Sequence, residues 1–362
     1  MKICVIAGAR PNFMKVAPLM RALERRGAHP TLVHTGQHYD ESMSTSIFAD
    51  LGLAEPSANF DVRSGSHAVQ SARVLERFDE WLDENVTDMV VVVGDVNSSM
   101  ACALAAVKRG LTVAHVEAGL RSRDRTMPEE INRLVIDALA RWLLTPSADA
   151  DENLLAEGVH PDRIRCVGNI MADSLFDAIE RASKSDVQTR CGIVGRYGLV
   201  TLHRPALVDD DVRFASVVDT LEALAESLEL LWPVHPRARA RIDALGRPIS
   251  PRIRLVPPLS YLDFVWAEAK AALVLTDSGG VQEETTMLGI PCLTLRENTE
   301  RPITITHGTN VLVAFDREQI LGEASRAMAF SGSRLRPELW DGHAAERIAD
   351  VLLGPDALSP VP

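Results

Sequence analysis

Apolar residues along this chain fall into two alternating rhythms. Short runs of strand length recur at Lys2–Ala7, Thr31–Thr35, Met89–Val93, Thr112–Val116, Trp142–Thr145 and Arg163–Val167. A second series follows at Gly198–Leu202, Leu230–Val234, Arg252–Val256, Ala272–Thr276, Cys292–Leu295 and Val311–Val313. Between them apolar positions return every three or four residues, as at Val69–Leu82, Ser98–Lys108, Glu129–Leu139 and Val212–Ser227, which predicts amphipathic helices. Strict alternation implies parallel sheets with right-handed crossovers, an α/β doubly wound architecture. Two series in one chain predict two Rossmann-like halves. The polar stretch Ser183–Arg196, broken by Gly192 and Gly195, reads as part of the connection. The expected division is an N-terminal domain over residues 1–168, completed by a C-terminal helix at 342–354, and a second domain over 169–341. Pro18 predicts that the helix after the first strand starts late or kinks. Pro355, Pro360 and Pro362 predict a fraying end.

Composition narrows the partners. Of the 362 residues, 46% are apolar and 24% charged, as in an ordinary globular enzyme, and the formal net charge is −12. That balance leaves no broad basic surface for nucleic acid or anionic lipid. The longest apolar runs are far short of a membrane span, and the first residues show no signal-peptide cleavage pattern. Cys4, Cys102, Cys166, Cys191 and Cys292 are scattered and odd in number, so reduced thiols in a cytoplasmic protein are expected. No metal is expected, because no His-Glu-x-x-His motif occurs along the chain. Nor does a Gly-x-Gly-x-x-Gly fingerprint follow the first strand, which argues against NAD.

Parallel sheets bind ligands at the carboxyl ends of their strands. Here the unusual polar residues sit directly after strands: Gly8-Ala9-Arg10, Gly36-Gln37-His38, Gly94-Asp95 and Glu117-Ala118-Gly119 in the first half. In the second half they are His203-Arg204, His235 and Asp277-Ser278-Gly279-Gly280. This predicts a site in the cleft between the halves. A strand that stops at Ser278-Gly279-Gly280 and passes into a helix presents free backbone N–H groups to an anion, with Glu284 one turn on to take a ribose diol. The same residues also read as a plain turn with a capping serine. Arg10 and Lys15 can hold an anion at the first strand-to-helix turn. Asp95 reads either as the cap of the following helix or as a site carboxylate. Glu117, at the end of an apolar strand, needs a partner, for which Arg121 or His115 is placed. Glu129 and Arg133 are four apart and can pair on one helix face. His203 and His235 each end an apolar strand, and their company favours a site over two structural histidines.

Taken in order and spacing, several motifs resemble those of the non-hydrolysing UDP-N-acetylglucosamine 2-epimerases over nearly the full chain. They are Gly8-Ala9-Arg10-Pro11 with Lys15, Thr35-Gly36-Gln37-His38, Gly94-Asp95, His115-Val116-Glu117-Ala118-Gly119-Leu120-Arg121 and Pro128-Glu129-Glu130-Ile131-Asn132-Arg133. They continue through Gly168-Asn169, Asp173, Thr201-Leu202-His203-Arg204 and Pro233-Val234-His235-Pro236, then Asp277 to Glu284, Thr299-Glu300-Arg301-Pro302 and Gly308-Thr309. The resemblance implies a GT-B type fold, a homodimer, and a UDP-sugar substrate inverted at C2 to supply N-acetylmannosamine-type sugars for surface polysaccharide. It implies elimination of UDP to a 2-acetamidoglucal and re-addition, with no redox cofactor. By the same resemblance Asp95, Glu117 and Glu129 transfer protons, supported by His203, Arg133 and Lys15. UDP and sugar are held by Arg10, Lys15, His235, Ser278, Gly279, Gly280, Glu284 and Arg301.

Two departures stand out. Pro205-Ala206-Leu207 follows His203-Arg204 where many relatives carry Arg-Glu-Asn. Tyr39-Asp40 follows Gln37-His38, as in the branch thought to lack allosteric activation by substrate, so hyperbolic kinetics are expected. A hydrolase releasing N-acetylmannosamine and UDP, a GT-B glycosyltransferase and a non-catalytic UDP-sugar binder are the competing readings. The acid cluster Asp95, Glu117 and Glu129 counts against the last two.

Overall fold

The computed structural model describes residues 1–36, 51–62, 65–329 and 336–361, without the side chains of residues 10 and 11. Internal contacts divide the chain into two units, Met1–Ser174 with Glu338–Pro362, and Leu175–Pro337.

The first unit is built on a parallel sheet of β1 (Ile3–Ala7), β2 (Thr31–His34), β3 (Ala58–Asn59), β4 (Met89–Val93), β5 (Thr112–Val116), β6 (Trp142–Thr145) and β7 (Ile164–Cys166), ordered β3-β2-β1-β4-β5-β6-β7. β4 is Met-Val-Val-Val-Val and buried throughout, as expected of a central strand covered by helices on both faces. The His67–Glu84 helix buries Gln70, Val74, Phe78 and Leu82, one residue per turn, and Ser66 caps it by accepting from the Val69 N–H at 3.4 Å.

The second unit repeats the plan with β8 (Tyr197–Thr201), β9 (Glu229–Pro233), β10 (Ile253–Val256), β11 (Leu273–Thr276), β12 (Cys292–Leu295) and β13 (Asn310–Val313), ordered β10-β9-β8-β11-β12-β13. Every described pairing in both sheets is parallel. The order reverses between β1 and β4 in one sheet and between β8 and β11 in the other. Those reversals open the crevices in which doubly wound sheets bind ligands. The core of the second unit centres on Trp232 and Phe214, whose rings lie 6.3 Å apart at 47°.

Two local expectations are corrected. The first helix runs unbroken over Arg10–Arg25 with Pro18 inside it, so it does not start late. Proline leaves the carbonyl four residues back without its helical donor, and the Ser174 hydroxyl donates to that carbonyl, Met14. The proline-rich end is also held rather than frayed. Trp142 Nε1 donates to the Ala357 carbonyl at 2.9 Å and Arg141 Nε to that of Ser359 at 3.1 Å, while Ala357 itself is buried. Just before this end, the Ala344–Leu352 helix packs on Arg10–Arg25, and Asp173 caps it by accepting from the N–H groups of Ala344 (3.1 Å) and Ala345 (3.0 Å). No helix among the described residues is long and apolar enough to cross a membrane.

Candidate functional site

In the first unit the ends of β1, β4 and β5 converge. The segment after β5 turns sharply, and Glu117 takes φ +70°, a left-handed conformation costing a non-glycine residue about 1–3 kcal/mol. Its carboxylate is buried and pairs with the Lys15 ammonium, which reaches across from the first helix. The partner of Glu117 is therefore Lys15, not Arg121 or His115. Those two residues both serve Asp137. His115 Nδ1 lies 2.6 Å from Asp137 Oδ1, Arg121 Nη1 lies 2.7 Å from Oδ2, and the Gly119 N–H donates to Oδ2 at 3.1 Å. Burial would raise the Asp137 carboxyl, but His115 and Arg121 outweigh it and hold the group below its usual range. The other ring nitrogen of His115 sits 3.2 Å from the Gly94 carbonyl oxygen, which ties the end of β4 to the end of β5.

Gly94 has φ +64°, and a Cβ there would lie 3.3 Å from Glu117 Oε2 and 3.6 Å from Lys15 Nζ. A side chain at this position would crowd the ion pair. Asn12 completes the corner: its Oδ1 accepts from the Gly8 (3.2 Å) and Ala9 (2.9 Å) N–H groups, while Nδ2 donates to the Val93 carbonyl at 2.9 Å.

Asp95 does not cap the Asn97–Lys108 helix, whose N-cap position is Val96. Its carboxylate instead pairs with Arg133. The guanidinium of Arg133 also meets Glu130 Oε2 at 2.8 Å, and Glu130 accepts the N–H groups of Ser122 and Arg123, both at 2.9 Å. The expected Glu129–Arg133 pair is thus replaced by Asp95–Arg133–Glu130. A three-residue step places Glu130 beside the guanidinium, while Asp95 meets it from the next strand end. Glu129 is half-buried, and its side chain makes no ion pair or hydrogen bond among the described residues. Asn132 donates to the Asp95 carbonyl at 2.8 Å, fixing the β4 turn to this helix.

In the second unit Asp277 organises the end of β8. It is buried, and its Oδ2 accepts from the N–H groups of His203 (2.9 Å) and Arg204 (2.8 Å), while His203 Nδ1 lies 2.9 Å from Oδ1. That contact directs Nε2 of His203 away from the carboxylate. His235 caps the Pro236–Ala244 helix through Nδ1, and its ring stands 6.3 Å from that of His203. Partial burial, then the neighbouring His203 and Arg237, lower its pKa.

Ser278 is the N-cap residue of the Gly279–Leu288 helix, yet its hydroxyl makes no cap hydrogen bond. The first N–H groups of this helix therefore have no side-chain cap from Ser278. A Cβ at Gly279 would stand 2.8 Å from Glu300 Oε1 and 2.9 Å from Arg301 Nη1, so a side chain there would have to displace that ion pair. At Gly280 a Cβ would meet only Ser278 Oγ, at 4.0 Å, so the protein's own packing does not demand glycine there. Arg301 is bound to Glu283 (2.8 Å) and Glu300 (2.6 Å), and Arg296 Nη2 meets Glu300 at 2.8 Å. Burial opposes ionisation of Glu300, but Arg301, Arg296 and Arg204 overrule it and hold the carboxyl far below its usual range. Glu284 shows the opposite behaviour: burial, then Glu283, push it up to about 8.

The structure thus gathers Lys15, Asp95, Glu117, Glu129 and Arg133 around the strand ends of the first unit. It gathers His203, His235, Ser278, Gly279, Gly280, Glu284 and Arg301 around those of the second. The side chain of Arg10 and the segment Gln37-His38-Tyr39-Asp40 lie outside the described residues. Sequence reasoning missed Asp137, Glu130, Asn12 and Arg296. The available signal was Asp137 itself, an acid in line with Arg133 on the buried face of its helix. No group of three His, Cys, Asp or Glu residues that could hold a metal ion occurs among the described residues.

Comparison with known proteins follows the same lines. A family model described as UDP-N-acetylglucosamine 2-epimerase matches residues 21–353. The UDP-N-acetylglucosamine 2-epimerase of Methanocaldococcus jannaschii is 37% identical, over 97% of this chain and 99% of its own. The UDP-2,3-diacetamido-2,3-dideoxy-D-glucuronate 2-epimerase of Pseudomonas aeruginosa is also 37% identical, over 97% of this chain and 99% of its own. The crystal structure of the M. jannaschii enzyme in complex with UDP-GlcNAc and UDP is similar at a TM-score of 0.89 and 38% identity, covering 98% of this chain and 99% of that one.

Proposed function

Because the chain belongs to the UDP-N-acetylglucosamine 2-epimerase family, we propose that it interconverts UDP-N-acetylglucosamine and UDP-N-acetylmannosamine without net hydrolysis. The observation that carries the reading is the pair of buried or half-buried ion pairs, Lys15–Glu117 and Arg133–Asp95, at adjacent strand ends. The C2–H of a sugar is a weak acid, so its removal needs a carboxylate kept ionised and held in place. Lys15 holds Glu117 in place, and Arg133 holds Asp95. One carboxylate takes the C2 proton as the C1–O bond breaks and UDP leaves with the bonding pair, giving 2-acetamidoglucal. UDP then adds back at C1 while an acid returns a proton to the other face of C2. Glu129, which makes no ion pair among the described residues, is assigned the return of that proton. The reaction is redox-neutral and asks for no redox cofactor.

In this reading the second unit grips the leaving group. The N–H groups at Gly279 and Gly280, with Ser278 and Arg301, take the diphosphate. Glu284 takes the ribose hydroxyls, and His203 and His235 line the same strand ends. Preorganised donors at a departing diphosphate stabilise the charge that develops in the transition state.

The test is product analysis with UDP-N-acetylglucosamine and no acceptor. The reading requires UDP-N-acetylmannosamine at constant total UDP-sugar. Free N-acetylmannosamine with UDP indicates the hydrolysing alternative, and turnover only with an acceptor indicates a glycosyltransferase. Because the Pseudomonas relative is named for a sugar carrying a 3-acetamido group and a uronate, that UDP-sugar is assayed in parallel. It fixes the C3 and C6 preference.

A further inference from the structure

Behind Glu284 lies a second acid that the proposed chemistry does not use. Glu268, on the Tyr261–Lys270 helix packed against Gly279–Leu288, is fully buried, and neither carboxyl oxygen has a hydrogen-bond partner among the described residues. The Tyr261 hydroxyl on the same helix is likewise buried and unpartnered. Glu284 retains a little exposure, at 6%, whereas Glu268 has none. Buried polar groups are nearly always satisfied, and a carboxyl with neither a cation nor a donor is driven to hold its proton.

Among the described residues the surroundings supply no neutralising charge. On the helix of Glu284 the neighbour is Glu283, already bound to Arg301 at 2.8 Å. From the Tyr261–Lys270 helix come Tyr261, Glu268, Asp263, which is held by Arg190, and Lys270, which is exposed. β12 contributes Cys292, a thiol raised by burial to about 12, and Asp177 adds a negative charge near Tyr261. Arg336 donates to the Met287 carbonyl at the far end of the helix, at 2.9 Å, and its guanidinium lies 5.0 Å from the centre of the Phe176 ring.

We propose that Glu268 is a positioning residue for Glu284: it stays protonated and donates its hydroxyl to the Glu284 carboxylate when ribose hydroxyls engage that carboxylate. Nucleotide binding then releases the proton that Glu284 carries in the free protein. This rests on the reading of Glu284 as the ribose acceptor. The raised Glu284 carboxyl, about 8, agrees with it. The proton released goes to solvent, and no bond other than O–H changes.

The experiment is calorimetric titration of UDP between pH 6 and 9, with Glu284→Gln as the baseline that removes UDP's own protonation. Wild-type affinity should rise with pH and level off above the Glu284 midpoint, with proton release detected by changing the buffer. Glu268→Met keeps the volume and removes a buried unpartnered acid, so it should fold at least as stably. It should nevertheless bind UDP about tenfold or more weakly at the plateau, the loss expected for a hydrogen bond to a charged group. Glu268→Gln, whose amide still donates, should restore most of that affinity. If Glu268→Met is more stable but binds UDP as wild type does, Glu268 is merely structural and the inference fails. Wild-type binding that does not vary with pH beyond the baseline overturns it equally. A wild-type protein that binds no UDP overturns the reading of the site, and the inference with it.

Discussion

Replacing Asp137 by asparagine tests how the strained turn at Glu117 is held. The carboxylate is fully buried and joins three groups: His115 Nδ1 at 2.6 Å, Arg121 Nη1 at 2.7 Å and the Gly119 N–H at 3.1 Å. Asparagine keeps the shape and can still accept from Gly119, but it cancels the charge. Breaking a buried ion pair costs about 3–5 kcal/mol. The lower end applies here, because Arg121 keeps Glu157 at 2.7 and 2.8 Å. For a unit of about 200 residues, about 3 kcal/mol corresponds to a Tm drop of roughly 6–12 °C. Calorimetry or circular dichroism measures it. Arg121→Met in the same chain should add much less than its separate effect, since the two share one contact. If Asp137 also holds Glu117 against Lys15, kcat falls while the contribution of the Gly279–Gly280 cradle to UDP affinity is kept, because that cradle lies on other elements. A Tm change below about 2 °C, on the same scale, would refute the reasoning.

Other outcomes follow from the same geometry. Gly279→Ala drives a Cβ into Glu300 and Arg301, so it should weaken both the fold of the turn and UDP binding, whereas Gly280→Ala should fold normally and lose only UDP affinity. Equal effects on folding at the two sites would count against the proposed cradle. Stability should depend on pH in two opposed ways. Asp137 and Glu300 have lowered folded-state pKa values, so their contribution is complete above the unfolded value and is lost as pH falls through the folded one. Glu284 is raised, so its contribution is present in acid and lost as pH rises through about 8, and Glu284→Gln should flatten that alkaline limb in denaturant titrations. Saturation by UDP-N-acetylglucosamine should be hyperbolic, and a sigmoidal curve would contradict the expectation drawn from Tyr39-Asp40.

The strands were readable from sequence because buried parallel strands are apolar on both faces. Met89–Val93, Thr112–Val116, Trp142–Thr145 and Cys292–Leu295 are found with the expected limits. β3 was not readable, since the two residues Ala58 and Asn59 carry no period. The site residues stood out as polar positions after apolar strands, but their pairings did not. Lys15 meets Glu117, and Arg133 meets Asp95, only because the sheet order sets β1 beside β4 and β4 beside β5. Pro18 misled for a related reason: the hydroxyl that satisfies Met14 comes from Ser174, remote in sequence. Charge pairing within one helix, as supposed for Glu129 and Arg133, is a weak guide where a buried carboxylate such as Glu130 competes for the same guanidinium.

The central claim is that C2 loses its proton to a protein carboxylate and regains one on the other face without loss of UDP. Incubation with UDP-N-acetylglucosamine in heavy water, followed by proton NMR, tests it most directly. The account predicts UDP-N-acetylmannosamine deuterated at C2, no free sugar, and no exchange in Asp95→Asn or Glu117→Gln protein that still binds UDP. Product that keeps its C2 proton, or full exchange in either variant, would contradict it.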